Sequence, residues 1–262
     1  MNRQVRLLVP ALVLFMAVMI WEVGVRAAGI PSYILPAPSL VLATLWENLG
    51  SLSHSWLFTL KITFGALSLS AVLGVALAAM FAMSRWVEIS LFPFAIVLQV
   101  TPIVAIAPLI LIYVDSTTAA LLICAWIVAF FPVLSNTVIG LRSADPNLQD
   151  LFRLYRASRW QRLRLLLAPS ALPYFLAGMK IAGGLSLIGA VAAEFTAGAA
   201  GRETGLASRI LEASFRTEVP KMFAALLLVS LTGVAIFLAF NLLSRLLIGR
   251  WHASESGSGR DG

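Results

Sequence analysis

The amino-acid sequence predicts an all-α, polytopic membrane protein with six transmembrane helices, and three observations carry that expectation. Apolar side chains make up 60% of the chain and charged ones only 12%, against roughly 45–50% and 25% in a soluble domain. The mean hydropathy is +0.93, and so little charge cannot cover a water-facing sphere of this size. Six stretches reach the roughly 20 mostly apolar residues that a spanning helix needs. The formal net charge of +7 sits mainly in short segments beside those stretches, which is how a membrane topology signal is written. No basic patch interleaved with stacking aromatics accompanies it, so the reading has membrane lipids around the chain and no nucleic acid as partner.

The first stretch is Leu7–Arg26. Arg3 and Arg6 ahead of it and Ala27–Ala28 after it imitate a signal peptide. The apolar run nevertheless extends to Trp21, and Trp21–Glu22 suit a cleavage site poorly, so a retained helix is expected. After the Pro-rich Ile30–Pro38 segment comes Phe58–Met83, then Leu91–Val114 and Ala119–Leu141. Pro102 and Pro108 interrupt the third of these spans. An interior proline frees carbonyls and bends the rod, which makes either a static kink or a gate. The single cysteine, Cys124, lies in the fourth span and has no intrachain partner. His54 and His252 stand in separate polar segments, so no metal site is expected.

The fifth stretch, Ala171–Ala197, is lined with small residues such as Gly178, Gly183, Gly184 and Gly189. Small residues let helices approach closely, within the chain or across a homodimer seam. Glu194 falls in its last turns. An ionisable group in a span is a functional candidate, because facing lipid costs it at least about 2.5 kcal/mol; the plainer reading is an interfacial carboxylate in water. The sixth stretch is Met222–Ile248. Residues 1–251 thus form one membrane domain, and the Ser/Gly-rich residues 252–262 read as a disordered tail.

With the N-terminus inside, the inner segments hold twelve Lys/Arg residues and the outer ones five, Lys61 and Lys180 lying within spans. That asymmetry places both termini and the polar loop 142–170 on the cytoplasmic side. In this loop Asp145–Pro146 reads as an N-cap followed by proline at the first helical position, starting a helix that runs to about Tyr155. Ser158 and Gln161 have the spacing of a capping box, which starts a second helix at Arg159 that should end near Ala168, ahead of Pro169. Leu151, Leu154, Tyr155, Trp160 and Leu163 give this pair of helices more apolar surface than the loop can bury alone. A basic loop resting on headgroups or a docking element for a cytoplasmic partner would each have that character.

The run Asp150-Leu-Phe-Arg-Leu-Tyr-Arg-Ala-Ser-Arg-Trp-Gln161, followed by Leu166-Leu-Ala-Pro-Ser-Ala-Leu-Pro173, resembles the EAA loop of binding-protein-dependent ABC transporter permeases. Leu35-Pro-Ala-Pro-Ser39, Thr59-Leu-Lys-Ile-Thr63, Pro102-Ile-Val-Ala-Ile-Ala-Pro-Leu109, Phe131-Pro-Val-Leu-Ser-Asn-Thr137, Gly178-Met-Lys-Ile-Ala182 and Ala193-Glu-Phe195 are similar to the branch that serves nitrate, taurine, alkanesulfonates and pyrimidine or riboflavin-type precursors. The resemblance covers nearly the whole chain. It implies a type I ABC importer permease fold, and a transport subunit of the bacterial inner membrane rather than an enzyme. Two permease copies would form the pathway, ABC ATPase subunits would dock on the loops, and an extracytoplasmic solute-binding protein would deliver a small polar or anionic solute. The coupling residues it implies are Asp150, Leu151, Arg153, Leu154, Tyr155, Arg156, Ala157, Ser158, Trp160 and Gln161, with Pro169 and Pro173 behind them. Pro102, Pro108 and Glu194 are the pathway or gate candidates.

No cofactor is expected on this chain. Its lysines are Lys61, Lys180 and Lys221, none followed by Ser or Thr, so it has no phosphate-binding G-x-x-x-x-G-K-[ST] loop, and ATP with Mg would belong to the partner. Two departures stand out. Arg156-Ala157-Ser158 replaces the family's usual Gly-Ala-Ser turn, and Asp115-Ser116 replaces a Gly-rich motif after the third span. The Tyr-Arg-Ala-Ser form leans toward the pyrimidine-precursor and riboflavin members. The alternative reading is an ion-coupled secondary transporter, which commonly carries internal repeats; none is evident, and it gives no reason for a capped cytoplasmic loop.

Overall fold

The computed structural model describes residues 3–199, 201 and 205–248, the side chains of 3–7 and 248 excepted. The expected tail 252–262 and the counted Arg202, Arg250 and Arg260 lie outside the described residues. The helices are α1 (Arg3–Ala27), α2 (Pro38–Glu47), α3 (Leu49–Met83), α4 (Arg85–Val100), α5 (Ile103–Tyr113), α6 (Thr117–Arg142), α7 (Pro146–Leu154), α8 (Arg159–Arg162), α9 (Ala168–Ala199), α10 (Leu206–Phe215) and α11 (Val219–Ile248). A π-helical turn, Leu163–Leu167, joins α8 to α9. Among the described residues, five helices are long and apolar enough to cross a membrane: α1 from Leu8, α3, α6, the rod running from Arg159 through α9, and α11 up to Leu247.

The third expected span differs from the sequence reading. It is a pair of helices, α4 and α5, bent by 102° at Thr101–Pro102. Both residues are extended. Pro102 brings no N–H, and its ring drives the preceding residue out of the helical region. Thr101 closes the end of α4 by directing its N–H (3.1 Å) and its hydroxyl (2.6 Å) to the Val97 carbonyl. Pro108, in contrast, lies inside α5 without breaking it.

The bent pair still crosses the bundle. Gly65 and Gly74 of α3 lie against Leu122 and Val133 of α6, so these two helices run parallel. The chain must therefore return the full height of the bundle between Met83 and Thr117. Ala95 of α4 accordingly packs with Phe81 and Val138, whereas Ala107 and Leu111 of α5 pack with Ile62 and Leu121 near the other end. The expected third span is thus present as a broken one, which brings the crossings of the bundle to six.

Most of the small residues of α9 are used within the chain, Gly184 facing open space. Gly140 of α6 lies against Ala171 and Tyr174, Gly178 against Pro132, and Gly189 against Ala125, an antiparallel contact close enough that a Cβ at Gly178 would stand 2.8 Å from the Pro132 carbonyl oxygen. Gly183 faces Ile236 and Phe240 of α11. Trp56 Nε1 donates to Thr232 Oγ1 at 2.7 Å and ties α3 to α11.

One end of the bundle carries Arg85, Arg142, α7 and α8. The opposite end carries the short helices α2 and α10, and each is capped from a distance. Neither Ala37 nor Gly205, the residues at their N-caps, offers a side-chain bond. Glu22 of α1 accepts from Ser39 N at 2.9 Å, and Glu194 of α9 accepts from Ala207 N at 3.1 Å. A carboxyl group at a helix N-terminus satisfies an orphan amide and opposes the helix dipole.

Candidate functional site

The loop at the Arg-rich end is built from two local stop-and-start signals. Asp145 Oδ1 accepts from Asn147 N at 2.7 Å, and Pro146 occupies the first helical position of α7. At the other end, Ala157 N donates to Phe152 O and Arg156 N to Arg153 O, both at 2.9 Å. This pair of bonds is a Schellman closure, which requires a left-handed residue. Arg156 supplies it with φ +52, in the place where the resembling family has glycine, so the strained form of the turn is the one adopted. Immediately after it, Ser158 Oγ accepts from Gln161 N (3.2 Å) while Gln161 Oε1 accepts from Ser158 N (2.8 Å), completing the capping box that the spacing predicts.

The second helix differs from expectation. It does not stop before Pro169 but winds through the π turn into α9 as one rod. A proline clashes with the carbonyl four residues back in an α-helix; the wider π turn ahead of Pro169 relaxes that contact. Ser170 Oγ donates to Leu166 O at 2.9 Å. Pro169 and Pro173 therefore stand at the root of α9, within the continuous rod.

The element is anchored on one side only. Leu163, Leu166 and Leu167 are buried in the cluster that holds Phe81, Phe130 and Leu141, and Phe152 packs against it. On the other side Leu154 is 80% exposed, Tyr155 81% and Trp160 63%, with Leu151 beside them. Asp150 and Arg153 pair at 3.0 Å on the open surface, where such a pair contributes at most about 1 kcal/mol. The guanidinium of Arg156 has no hydrogen-bond partner among the described residues.

The pathway candidates separate. Pro102 is exposed at the break and Pro108 is exposed on α5, as are Gln99 and Val104 on either side of the break. Glu194 is fully buried. Its Oε2 accepts from Thr59 Oγ1 at 3.1 Å as well as from Ala207 N, and Thr59 Oγ1 accepts from Leu206 N at 2.9 Å. Gly205 is packed so closely on Thr59 and the Glu194 carboxyl that a Cβ there would overlap both. Lys180 is held by Asn241 Oδ1 at 3.2 Å and lies 4.2 Å from the centroid of Phe237. Ser116, in the segment that departs from the family pattern, caps α6 by accepting from Ala119 N at 3.3 Å. Sequence reasoning missed the anchoring role of Phe152 and the partnership of Thr59, Gly205 and Glu194, whose members are far apart in the chain.

Residues 70–251 match the family described as "Binding-protein-dependent transport system inner membrane component". The chain is 35% identical to the riboflavin transport system permease protein RibX of Chloroflexus aurantiacus, over 92% of this chain and 89% of that one. It is 32% identical to the formylaminopyrimidine transport permease protein ThiX of Halalkalibacterium halodurans, over 95% and 98%. A putative aliphatic sulfonates transport permease protein, SsuC of Bacillus subtilis, is 27% identical over 96% and 88%. Among solved structures, an amino acid ABC transporter crystallised with histidines superposes with a TM-score of 0.61 at 17% identity, covering 76% of this chain and 97% of that chain; at that identity the likeness is one of fold. Such a permease is a multi-pass inner-membrane subunit that works with separate ATPase and solute-binding partners. A bent six-span bundle with a half-anchored loop, a match over residues 70–251 and near full-length relatives lead to one conclusion: the chain belongs to the binding-protein-dependent inner membrane components and is a permease subunit of an ABC importer.

Proposed function

We propose that two copies of this chain form the pathway of a homodimeric importer, with α7, the Arg156 turn and α8 seated in clefts of two ATPase subunits. The observation that carries this reading is the one-sided anchoring of that element. Leu154, Tyr155 and Trp160 are exposed while Leu163, Leu166 and Leu167 are locked into the spans. Force applied to the free face is thus delivered to α9 through a continuous, proline-bearing root. Both termini and this element face the cytoplasm, as the Lys/Arg asymmetry implies. ATP and Mg bind and react on the partner, and this chain carries no cofactor.

The break in the third span supports the dimer. Irregular backbone at membrane depth is tolerated only where protein or a water-filled cavity covers it. Thr101–Pro102 lies between the levels of Ala95 and Ala107, about midway along α3, and its surroundings are open in the single chain. A second copy across a water-filled seam satisfies that requirement and puts Pro102 and Pro108 beside the solute. Glu194, packed behind α10, acts on the outer mouth by fixing that helix rather than by touching the solute. The solute is small and polar or anionic. The names of the relatives at 35% and 32% identity favour a riboflavin-like or pyrimidine-precursor compound over a sulfonate, taurine or nitrate.

The test is purification of the complete complex from the membrane. It should contain two copies of this chain and two of the ATPase, and drive uptake that depends on the binding protein. One permease copy, or this chain paired with a different permease, overturns the homodimer. In intact cells lacking Cys124, a cysteine at Ser51 should react with an impermeant thiol reagent and one at Ser143 should not. Labelling at Ser143 would reverse the orientation.

A further inference from the structure

We propose that the cavity between the coupling element and the spans is a binding site for the phosphate headgroup of an anionic phospholipid. A cavity of about 320 Å³ opens among Ala78 and Phe81 of α3, Val138 and Arg142 of α6, Gln149 of α7 and Arg162 of α8. A second, of about 280 Å³, is lined by Met83, Arg159 and Leu163 and shares Ala82, Arg162 and Leu167 with the first. Together they make one recess with an apolar floor and a rim of three guanidinium groups.

Two of the three charges on that rim, those of Arg159 and Arg162, have no carboxylate partner among the described residues, and the third, Arg142, is paired with Glu88. No carboxylate lines either part. Glu88 takes one nitrogen of the Arg142 guanidinium, Nη2, and the other N–H donors of that group carry no hydrogen bond among the described residues. Arg159 spends one N–H on the Met83 carbonyl at 3.1 Å, and Arg162 has no partner among the described residues. Gln149 is held to the Ala144 carbonyl at 2.9 Å and keeps its side-chain oxygen. Several fork-shaped donors converging on one recess suit a tetrahedral anion with several acceptor oxygens.

The floor and the depth select the source of the anion. Ala78, Phe81, Val138 and Leu141 offer nothing to a free, fully hydrated phosphate, but they accept the glycerol and first methylenes of a lipid. The recess lies at the ends of α3 and α6, level with Trp86, which is 81% exposed and marks the water interface as tryptophans do. Basic pockets between spans at this depth take lipid headgroups. The ligand would bridge Arg142 on a span to Arg159 and Arg162 on the coupling element, so occupancy stiffens the joint through which motion passes. That consequence rests on the coupling reading above; binding itself does not.

The full chain, purified and delipidated in detergent, is titrated with phosphatidylglycerol, with phosphatidylcholine and with inorganic phosphate, and bound adducts are counted by native mass spectrometry. Phosphatidylglycerol should bind the wild type more tightly than phosphatidylcholine. Arg162→Gln should weaken phosphatidylglycerol alone by about fivefold, the factor for one basic residue near a membrane surface. Arg162→Lys should keep most of the affinity and Arg164→Gln, outside the recess, all of it. Equal binding of the two lipids, or an Arg162→Gln profile identical to wild type, overturns the site. Displacement of the lipid by millimolar inorganic phosphate would assign the rim to a soluble anion and overturn the lipid. If Arg162→Gln fails to fold, the wild-type lipid comparison and Arg162→Lys decide. Lipid binding that stays intact while ATPase coupling is insensitive to it would count against the coupling reading and leave the site standing.

Discussion

Replacing Arg156 with glycine isolates the cost of the coupling turn. An L-residue in the left-handed region pays roughly 1–2 kcal/mol relative to its preferred conformations, and Arg156 sits there with φ +52. Glycine removes that penalty but brings extra freedom in the open state worth about 0.5–1 kcal/mol. The net is about 0.5–1 kcal/mol in favour of the closed turn. The Ala157 amide reports the change directly, because its bond to the Phe152 carbonyl at 2.9 Å exists only while the turn is closed. Native-state hydrogen exchange at that amide should slow by about two- to fivefold in Arg156→Gly and stay unchanged in Arg156→Ala, which keeps the strain. Unchanged or faster exchange in the glycine variant would refute the strained-turn account. Association with the ATPase should be unaffected by Arg156→Gly. A loss that shrinks at high salt would instead show Arg156 reaching an acidic group on the partner.

Three further outcomes follow from the packing and the caps. Glu194→Ala strands the Ala207 amide in a buried site, while the Thr59 hydroxyl keeps the Ser55 carbonyl at 3.2 Å, and should cost about 2–3 kcal/mol, against about 1 kcal/mol for Glu194→Gln, which retains an acceptor; equal thermal unfolding midpoints for the two variants would contradict the clamp on α10. Gly178→Ala places a methyl 2.8 Å from the Pro132 carbonyl oxygen and 3.0 Å from Asn136 Cβ, so overpacking of α6 on α9 should lower stability by about 1–3 kcal/mol, measured in the same thermal assay. The hydrogen bond from Arg209, with Arg216 beside it, holds the Glu212 carboxyl below the ordinary carboxylate range. Its stabilising contribution is therefore present above the unfolded-state value and lost as pH falls through the folded one; exchange protection in α10 should fall with acid, and Glu212→Gln should flatten that dependence.

What the sequence displayed and what it hid divide by range. The spans, the Asp145–Pro146 start of α7 and the Ser158/Gln161 box are all written within a few neighbouring residues, and each was legible. The Arg156 turn was legible as a conflict, because a non-glycine residue stood where the chain had to reverse its hand. Pro102 and Pro108 look alike in sequence, yet only Pro102 breaks its helix. Both are exposed in the single chain; what differs is the backbone ahead of them, extended at Thr101 and helical ahead of Pro108. The end of the second loop helix was misjudged for a related reason: a π turn of Leu163–Leu167 lets the rod continue through Pro169. Glu194 was visible as a charge in a span, but its work as a distant cap for α10 depends on Thr59 and Gly205, 135 residues before it and 11 after it respectively. Glu22 does the same for α2; it too stands as a charge within a span, but in the sequence it speaks only against a cleavage site.

The most direct measurement of the coupling claim uses the complete complex reconstituted in lipid. Tyr155 and Ala157 are both replaced with Asp, which puts one charge on the exposed face of the turn and one at the half-buried Ala157 position and leaves Leu163, Leu166 and Leu167 in the core. The doubly substituted permease should keep the thermal midpoint of the wild type and still reside in the membrane. It should nevertheless fail to stimulate ATP hydrolysis when solute-loaded binding protein is added, and it should import nothing. Solute-stimulated hydrolysis at the wild-type rate would show that motion does not pass through this loop.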